Sequence, residues 1–190
     1  MLLNSKVIYK KILQLRQIDK VNDINYVIDD DSLYVYAKGN PLHLKVCDIP
    51  ESMIPSNLIL MINNPPLELT DFKILMFNEN IKFNYDKGVL LVDGKKVKAM
   101  KFTINRKPPT RWYFFFPKYH DKNITVKCKD GDIYVNDDLV FKSSKISSFT
   151  KKLDNEYFTH FFDTKCYIFE TKHRIYLKNI YGDYIHLDYK

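Results

Sequence analysis

The sequence predicts a β-dominated α+β fold in two domains, and three observations carry that prediction. An apolar segment, a helix-like segment and three short β-patterned segments follow one another in the first hundred residues, and the same order then recurs. A stiff segment with Pro108-Pro109 at its centre interrupts the β pattern. Beyond it, short alternating strands return while helix-length segments do not.

The first pass begins with a helix over 5–20. Ser5 can cap it, and at 100° per residue Val7, Ile8, Ile12, Leu15 and Ile18 fall within an arc of about 140°. Lys6, Lys10, Arg16 and Lys20, with Gln14 and Gln17, gather on the opposite side, while Lys11 and Leu13 break the pattern. Such a face is either solvated or suited to lie along a DNA backbone. Strands follow over 24–29, 32–38 and 41–47. The second pass gives a strand over 57–62, a short helix over 70–78, and strands over 81–85, 89–92 and 96–104.

Turn chemistry separates these strands: Asp29-Asp30-Asp31-Ser32, Lys38-Gly39-Asn40-Pro41, Asp86-Lys87-Gly88 and Asp93-Gly94. The three aspartates lack the glycine and distal glutamate of a calcium loop, which favours a solvated turn over a cation site.

Residues 105–110 form the predicted linker between a domain over 1–104 and a second over 111–190. The second opens with Trp112-Tyr113-Phe114-Phe115-Phe116-Pro117, a strand dense enough in rings to be buried. Strands follow over 123–129, 131–136 and 139–141. A Ser/Lys-rich connection over 143–152 then leads to strands over 157–162, 165–170, 174–180 and 184–189.

Charge is unevenly placed. The net charge is +7, yet residues 95–118 hold eight basic side chains (Lys95, Lys96, Lys98, Lys101, Arg106, Lys107, Arg111, Lys118) and no acidic one. A local excess of this kind attracts polyanions through phosphate contacts and counterion release, or simply solubilises a strand and loop.

No apolar run approaches the roughly 18 to 20 residues of a membrane span, so a cytoplasmic protein without membrane contact is expected. Cys47, Cys128 and Cys166 are odd in number and widely spaced, which points to buried free thiols. The five histidines are scattered without metal spacing, and no phosphate loop or nucleophile elbow occurs. Tyr119-His120-Asp121-Lys122 is the one compact polar set and reads as a surface turn. An enzyme is the weakest class, and no cofactor is expected.

The order of elements resembles the sliding-clamp family of DNA polymerase processivity factors, most nearly its T-even phage type. The resemblance is carried by 57–62 (NLILMI), 67–75 (LELTDFKIL), Ile81-Lys82-Phe83 and 89–94 (VLLVDG), which are similar to a clamp strand, its helix start and the following hairpin. The stretches 32–37 (SLYVYA) and 42–46 (LHLKV) look like the early clamp hairpin, and 124–127 (ITVK) and 183–187 (DYIHL) like second-domain strands.

A clamp implies a non-enzymatic viral ring on duplex DNA, built as a homo-oligomer, with a trimer favoured. DNA polymerase and a clamp loader would be its partners, and a peptide pocket would lie near the linker, with candidates over 99–104. It assigns DNA contact to Lys6, Lys10, Arg16 and Lys20 on the first helix and Lys73 on the second, with Lys95, Lys96, Arg106, Lys107 and Arg111 in the basic run.

The second domain departs from the pattern. Only 117–122 lies between its first two predicted strands and only 163–164 before 165–170, and at 1.5 Å per residue neither holds two helical turns. Its helices are expected to be reduced. Two other functions stay open: a single-strand nucleic-acid-binding or regulatory protein using 95–118, where Arg111, Trp112, Tyr113 and Phe114 combine cationic and stacking contacts, and a viral accessory protein that binds a host factor through its β edges.

Overall fold

The computed structural model describes residues 2–18, 24–29, 32–37, 39–48, 58–63, 80–86, 89–92, 95–103, 110–171 and 174–189. The chain divides into two compact units, Met1–Arg106 and Lys107–Lys190.

The first unit runs β1 (Leu2–Asn4), α1 (Ser5–Ile18), β2 (Ile24–Asp29), β3 (Ser32–Ala37), β4 (Leu42–Asp48), β5 (Leu58–Asn63), β6 (Asn80–Asp86), β7 (Val89–Val92) and β8 (Lys95–Thr103). Its strands are antiparallel in the order β1-β6-β7-β8-β5-β2-β3-β4. The helix expected over 70–78 and the last two residues of the 5–20 helix lie outside the described residues.

The two repeats exchange their first strands. β1 opens the first repeat but pairs with β6 of the second, Leu2 opposite Lys82 and Asn4 opposite Asn80. β5 opens the second repeat and pairs with β2 of the first, Ile28 opposite Leu60 and Tyr26 opposite Ile62. Each repeat therefore completes the sheet of the other, which ties the halves of the unit together through backbone hydrogen bonds.

Turn chemistry fixes the register. Asp29 stands opposite Ser32, so two residues close that hairpin. Gly39 takes φ +83°, which a side chain would strain. Beside it the Asn40 amide donates to the Ala37 carbonyl at 2.9 Å, and Asn40 Oδ1 accepts from the Leu42 amide at 2.7 Å. α1 lies against β3 and β4, where Ile12, Leu15, Leu33, Tyr34, Val35, Leu42 and Leu44 are fully buried.

The second unit runs β9 (Trp112–Phe116), β10 (Asn123–Lys129), β11 (Asp132–Val135), β12 (Asp138–Phe141), β13 (Phe149–Asp154), a 3-10 helix (Asn155–Phe158), β14 (Thr164–Glu170), β15 (Arg174–Asn179) and β16 (Tyr184–Tyr189). One set of strands is ordered β12-β11-β10-β13 and the other β16-β15-β14-β9. The exchange occurs here too: β9 pairs with β14, Trp112 opposite Ile168, and β13 pairs with β10, Leu153 opposite Ile124.

This order corrects two sequence expectations. The segment 143–152 is not only a connection, because Phe149–Asp154 is the strand that opens the second repeat of the unit. Its alternation of buried Phe149 and half-buried Lys151 and Leu153 with exposed Thr150, Lys152 and Asp154 is disguised by two adjacent lysines. The strand expected over 157–162 is instead the 3-10 helix followed by turns over 159–163. Phe158 and Phe161, three apart, are both fully buried, a spacing that a 3-10 turn satisfies and an alternating strand does not. The place of the second helix is thus 155–163 rather than the two residues 163–164.

Both hairpin turns that follow β10 and β11 use two residues with positive φ: Asp130 and Gly131, then Asn136 and Asp137. Their twist matches that of the flanking strands.

Candidate nucleic-acid interface

α1 carries Lys6, Lys10, Lys11 and Arg16 and not one carboxylate. Helix propensity does not require that bias. Lys6 belongs to the first turn, at the positive end of the backbone dipole, a placement that costs about 0.3–1 kcal/mol. Ile12 and Leu15 are buried, Leu15 near the centre of the apolar arc and Ile12 at one edge, whereas Val7 at the other edge is 43% exposed and Ile18 half-buried. A helix resting on a sheet touches it along a narrow line, so the core stripe is slimmer than the apolar arc drawn from the sequence.

Opposite that stripe Lys10 and Gln17 are exposed, with Leu13 between them. Arg16 does not share their exposure. It lies about 40° from Ile12 around the helix and is half-buried on the flank of the core side.

The other expected contact residues are distributed over both units. Lys6 lies in the first turn of α1, and Lys95 and Lys96 begin β8 opposite Val92 and Leu91. Lys20, Lys73, Arg106 and Lys107 lie outside the described residues, as does part of the 99–104 pocket segment. Arg111 precedes β9 in the second unit, exposed, with its guanidinium 5.0 Å from the centroid of the Tyr167 ring.

In the second unit, hydrogen bonds and rings occupy the places where the repeat would hold helices. Over 117–122 the Tyr119 hydroxyl lies 2.9 Å from both the Val135 carbonyl and Asp138 Oδ2, so its one proton serves two acceptors. Burial, and then Asp138, push that phenol above its ordinary range. Asn155 Nδ2 donates to the Tyr119 and Asp121 carbonyls at 3.0 and 2.7 Å, and Asn136 Nδ2 donates to Asp121 Oδ2 at 3.1 Å. The compact polar set Tyr119–Lys122 is therefore a pinned surface loop, as the sequence led us to expect. Over 155–163, Phe158 and Phe161 close the core against Phe116, with ring centroids 5.5 and 6.4 Å away.

β9 is not wholly buried, contrary to the ring-density expectation. Phe114 and Phe116 face the core, but Tyr113 is 46% and Phe115 60% exposed. Period-two alternation sends every second ring outward. Across the ladder Tyr113 stands opposite Tyr167 and Phe115 opposite Lys165, and the Lys165 ammonium lies 5.1 Å from the Tyr113 centroid. Sequence reading missed Tyr167 as the partner of Arg111, Lys165 as that of Tyr113, and the outward place of Phe115. The alternation was visible; the pairing of β9 with a strand some fifty residues later was not.

The cysteines are free. Cys128 and Cys166 are buried as expected, but Cys47 near the end of β4 is only half-buried. Burial pushes the Cys166 thiol up to about 12, and burial together with Asp48 pushes Cys47 up to about 11. Among the described residues no cluster of three or more His, Cys, Asp or Glu could hold a metal ion, and no helix is long and apolar enough to cross a membrane.

No protein-family model matches the chain, and no curated protein matches it. Among solved structures it is similar to the DnaN sliding clamp (DNA polymerase III subunit beta) of Pseudomonas aeruginosa bound to griselimycin, at 9% identity and a TM-score of 0.47, covering all of this chain and 65% of that one. The Helicobacter pylori beta clamp bound to a DNA ligase peptide shares 8% identity at a TM-score of 0.47, with 100% and 66% covered. The Bacillus subtilis DNA polymerase sliding clamp shares 7% at 0.46, with 100% and 64% covered. All three are bacterial clamps rather than the T-even phage type. This chain spans 64–66% of the length of these structures.

Proposed function

We propose that this chain is a sliding-clamp subunit, a non-enzymatic processivity factor that tethers a DNA polymerase to duplex DNA. The observation that carries the reading is the strand exchange repeated in both units, β1 with β6 and β5 with β2, then β9 with β14 and β13 with β10. That plan ties two meanders into one scaffold within each unit. The carboxylate-free helix α1, seated by Ile12 and Leu15 with Lys10 and Gln17 outward, supplies the polyanion-facing element such a scaffold needs.

Lys10 leads the contact set, with Lys6, Arg16, Lys20, Lys73, Lys95, Lys96, Arg106, Lys107 and Arg111 as further members. Their contacts are with phosphate, which repeats along the duplex, so each can be exchanged for the next at little cost and carries no base preference. Closure would come from a homo-oligomer, a trimer, loaded by a clamp loader in the host cytoplasm. The phage-type assignment rests on the sequence resemblance.

Light scattering of the purified chain and primer extension on a long template test the proposal together. The expected results are a closed oligomer and longer products from the cognate polymerase, with Lys10→Glu lowering product length while the oligomer persists. A chain that stays monomeric at every concentration and never lengthens the products sinks the reading.

A further inference from the structure

Rings and cations gather on the outer face of β9 and β14 in the second unit; of the duplex contact set only Arg111 is among them. Tyr113 and Phe115 project from the same face of β9, 46% and 60% exposed, and stand two positions apart, about 7 Å. The neighbouring strand supplies one cation, Lys165, which stands opposite Phe115 and lies 5.1 Å from the Tyr113 ring; the residue before β9 supplies another, Arg111, 5.0 Å from the ring of buried Tyr167, itself 5.2 Å from Tyr113. Open apolar rings of this size are unfavourable in water unless something covers them, and cations held over neighbouring rings give the cover a negative charge.

We propose that the Tyr113–Phe115 face, with Lys165 and Arg111 beside it, binds an extended single strand of nucleic acid, bases on the two exposed rings and phosphates on the cations. The chemistry separates this occupant from its rivals. In a duplex the bases lie roughly 3.4 Å apart and already stacked, so they cannot seat on rings about 7 Å apart. An acidic peptide would satisfy the two cations but has no general reason to cover two successive rings. A single strand offers a π-face at every residue and a phosphate beside each, which makes the binding tolerant of sequence and steep in salt.

Fluorescence anisotropy of a labelled oligothymidylate, titrated with the full chain, provides the test, and the quenching of Trp112 beside the rings gives a second readout. Phe115→Ala and Tyr113→Ala are each expected to weaken oligothymidylate binding about 5-fold or more, because stacking of one base on one ring is worth roughly 1–3 kcal/mol. Lys165→Gln is expected to weaken binding and to flatten its salt dependence by about one phosphate contact. These side chains are exposed, so an unchanged thermal melt should accompany each loss; if a ring variant unfolds, Lys165→Gln still decides.

Lys152→Gln on β13, exposed and in neither contact set, is expected to leave oligothymidylate binding within twofold, which separates the site from a general effect of positive charge. Binding unchanged in both ring variants and in Lys165→Gln overturns the proposal. So does a poly-glutamate–tyrosine peptide that binds through the same residues while oligothymidylate does not.

Discussion

Gly131 occupies the second position of the β10–β11 turn at φ +85°, and a β-carbon there would lie 2.5 Å from the Ser144 carbonyl oxygen. That oxygen belongs to backbone held in place, because the Ser144 amide donates to the Gly131 carbonyl at 2.7 Å. Gly131→Ala should therefore cost about 1–3 kcal/mol in chemical denaturation, through strain in both φ and contact. The thiols give a second test. Cys47 and Cys166 have an ordinary thiol value of 9.0 once unfolded, but reach about 11 and about 12 in the fold. Below pH about 9 the neutral thiols cost nothing in either state; above it the unfolded chain ionises first. Stability should be full below pH about 9 and fall as pH rises toward 12, with a shallower fall in Cys166→Ala. In the native protein at pH 8, a disulfide reagent should modify half-buried Cys47 before Cys128 and Cys166.

The elements that fill the helix places of the second unit do so with rings. Phe158 and Phe161 are fully buried, 6.3 Å apart at the centroids, and both touch Phe116. Thr164 Oγ1 ties the following turn to the Phe161 carbonyl at 2.7 Å, and Asn179 Nδ2 donates to the His160 carbonyl at 2.7 Å. Phe158→Ala or Phe161→Ala should cost about 3–5 kcal/mol, measured by urea denaturation, because truncating a fully buried ring loses its transfer free energy and leaves a cavity. Removing a surface ring such as Phe115 should leave stability nearly unchanged. α1 was readable because its apolar residues keep a 3.6 period against a polar background. β13 and the 3-10 helix were not, since lysines in alternation with Leu153 blur period two and the aromatic pairs at 157–158 and 161–162 imitate a strand.

For the whole molecule, the proposed clamp function predicts duplex binding that is steep in salt and blind to sequence. Competition with unrelated duplexes should show no preference, and Lys10→Gln should reduce the slope of log affinity against log salt by about 0.9. A preference for one base sequence would contradict a contact set made of phosphates. The exchange of first strands also sets how stability is shared. Because β1 completes the meander of β6 and β5 that of β2, the two repeats of the first unit should unfold together; likewise those of the second unit, tied through β9–β14 and β13–β10.

By itself the sequence determined the class of fold, the apolar stripe of α1, the turns and most strand positions, because period, glycine and proline act over a few residues. It also determined the excess of positive charge, since charge needs no neighbour to be counted. Only the tertiary structure decided which strands exchange, that β13 opens the last repeat, that Arg16 sits on the flank of the core, and that Tyr113 and Phe115 face outward beside Lys165 and Arg111. Those facts depend on pairings between residues far apart in the chain, where register rather than local preference chooses the face on which a side chain lands.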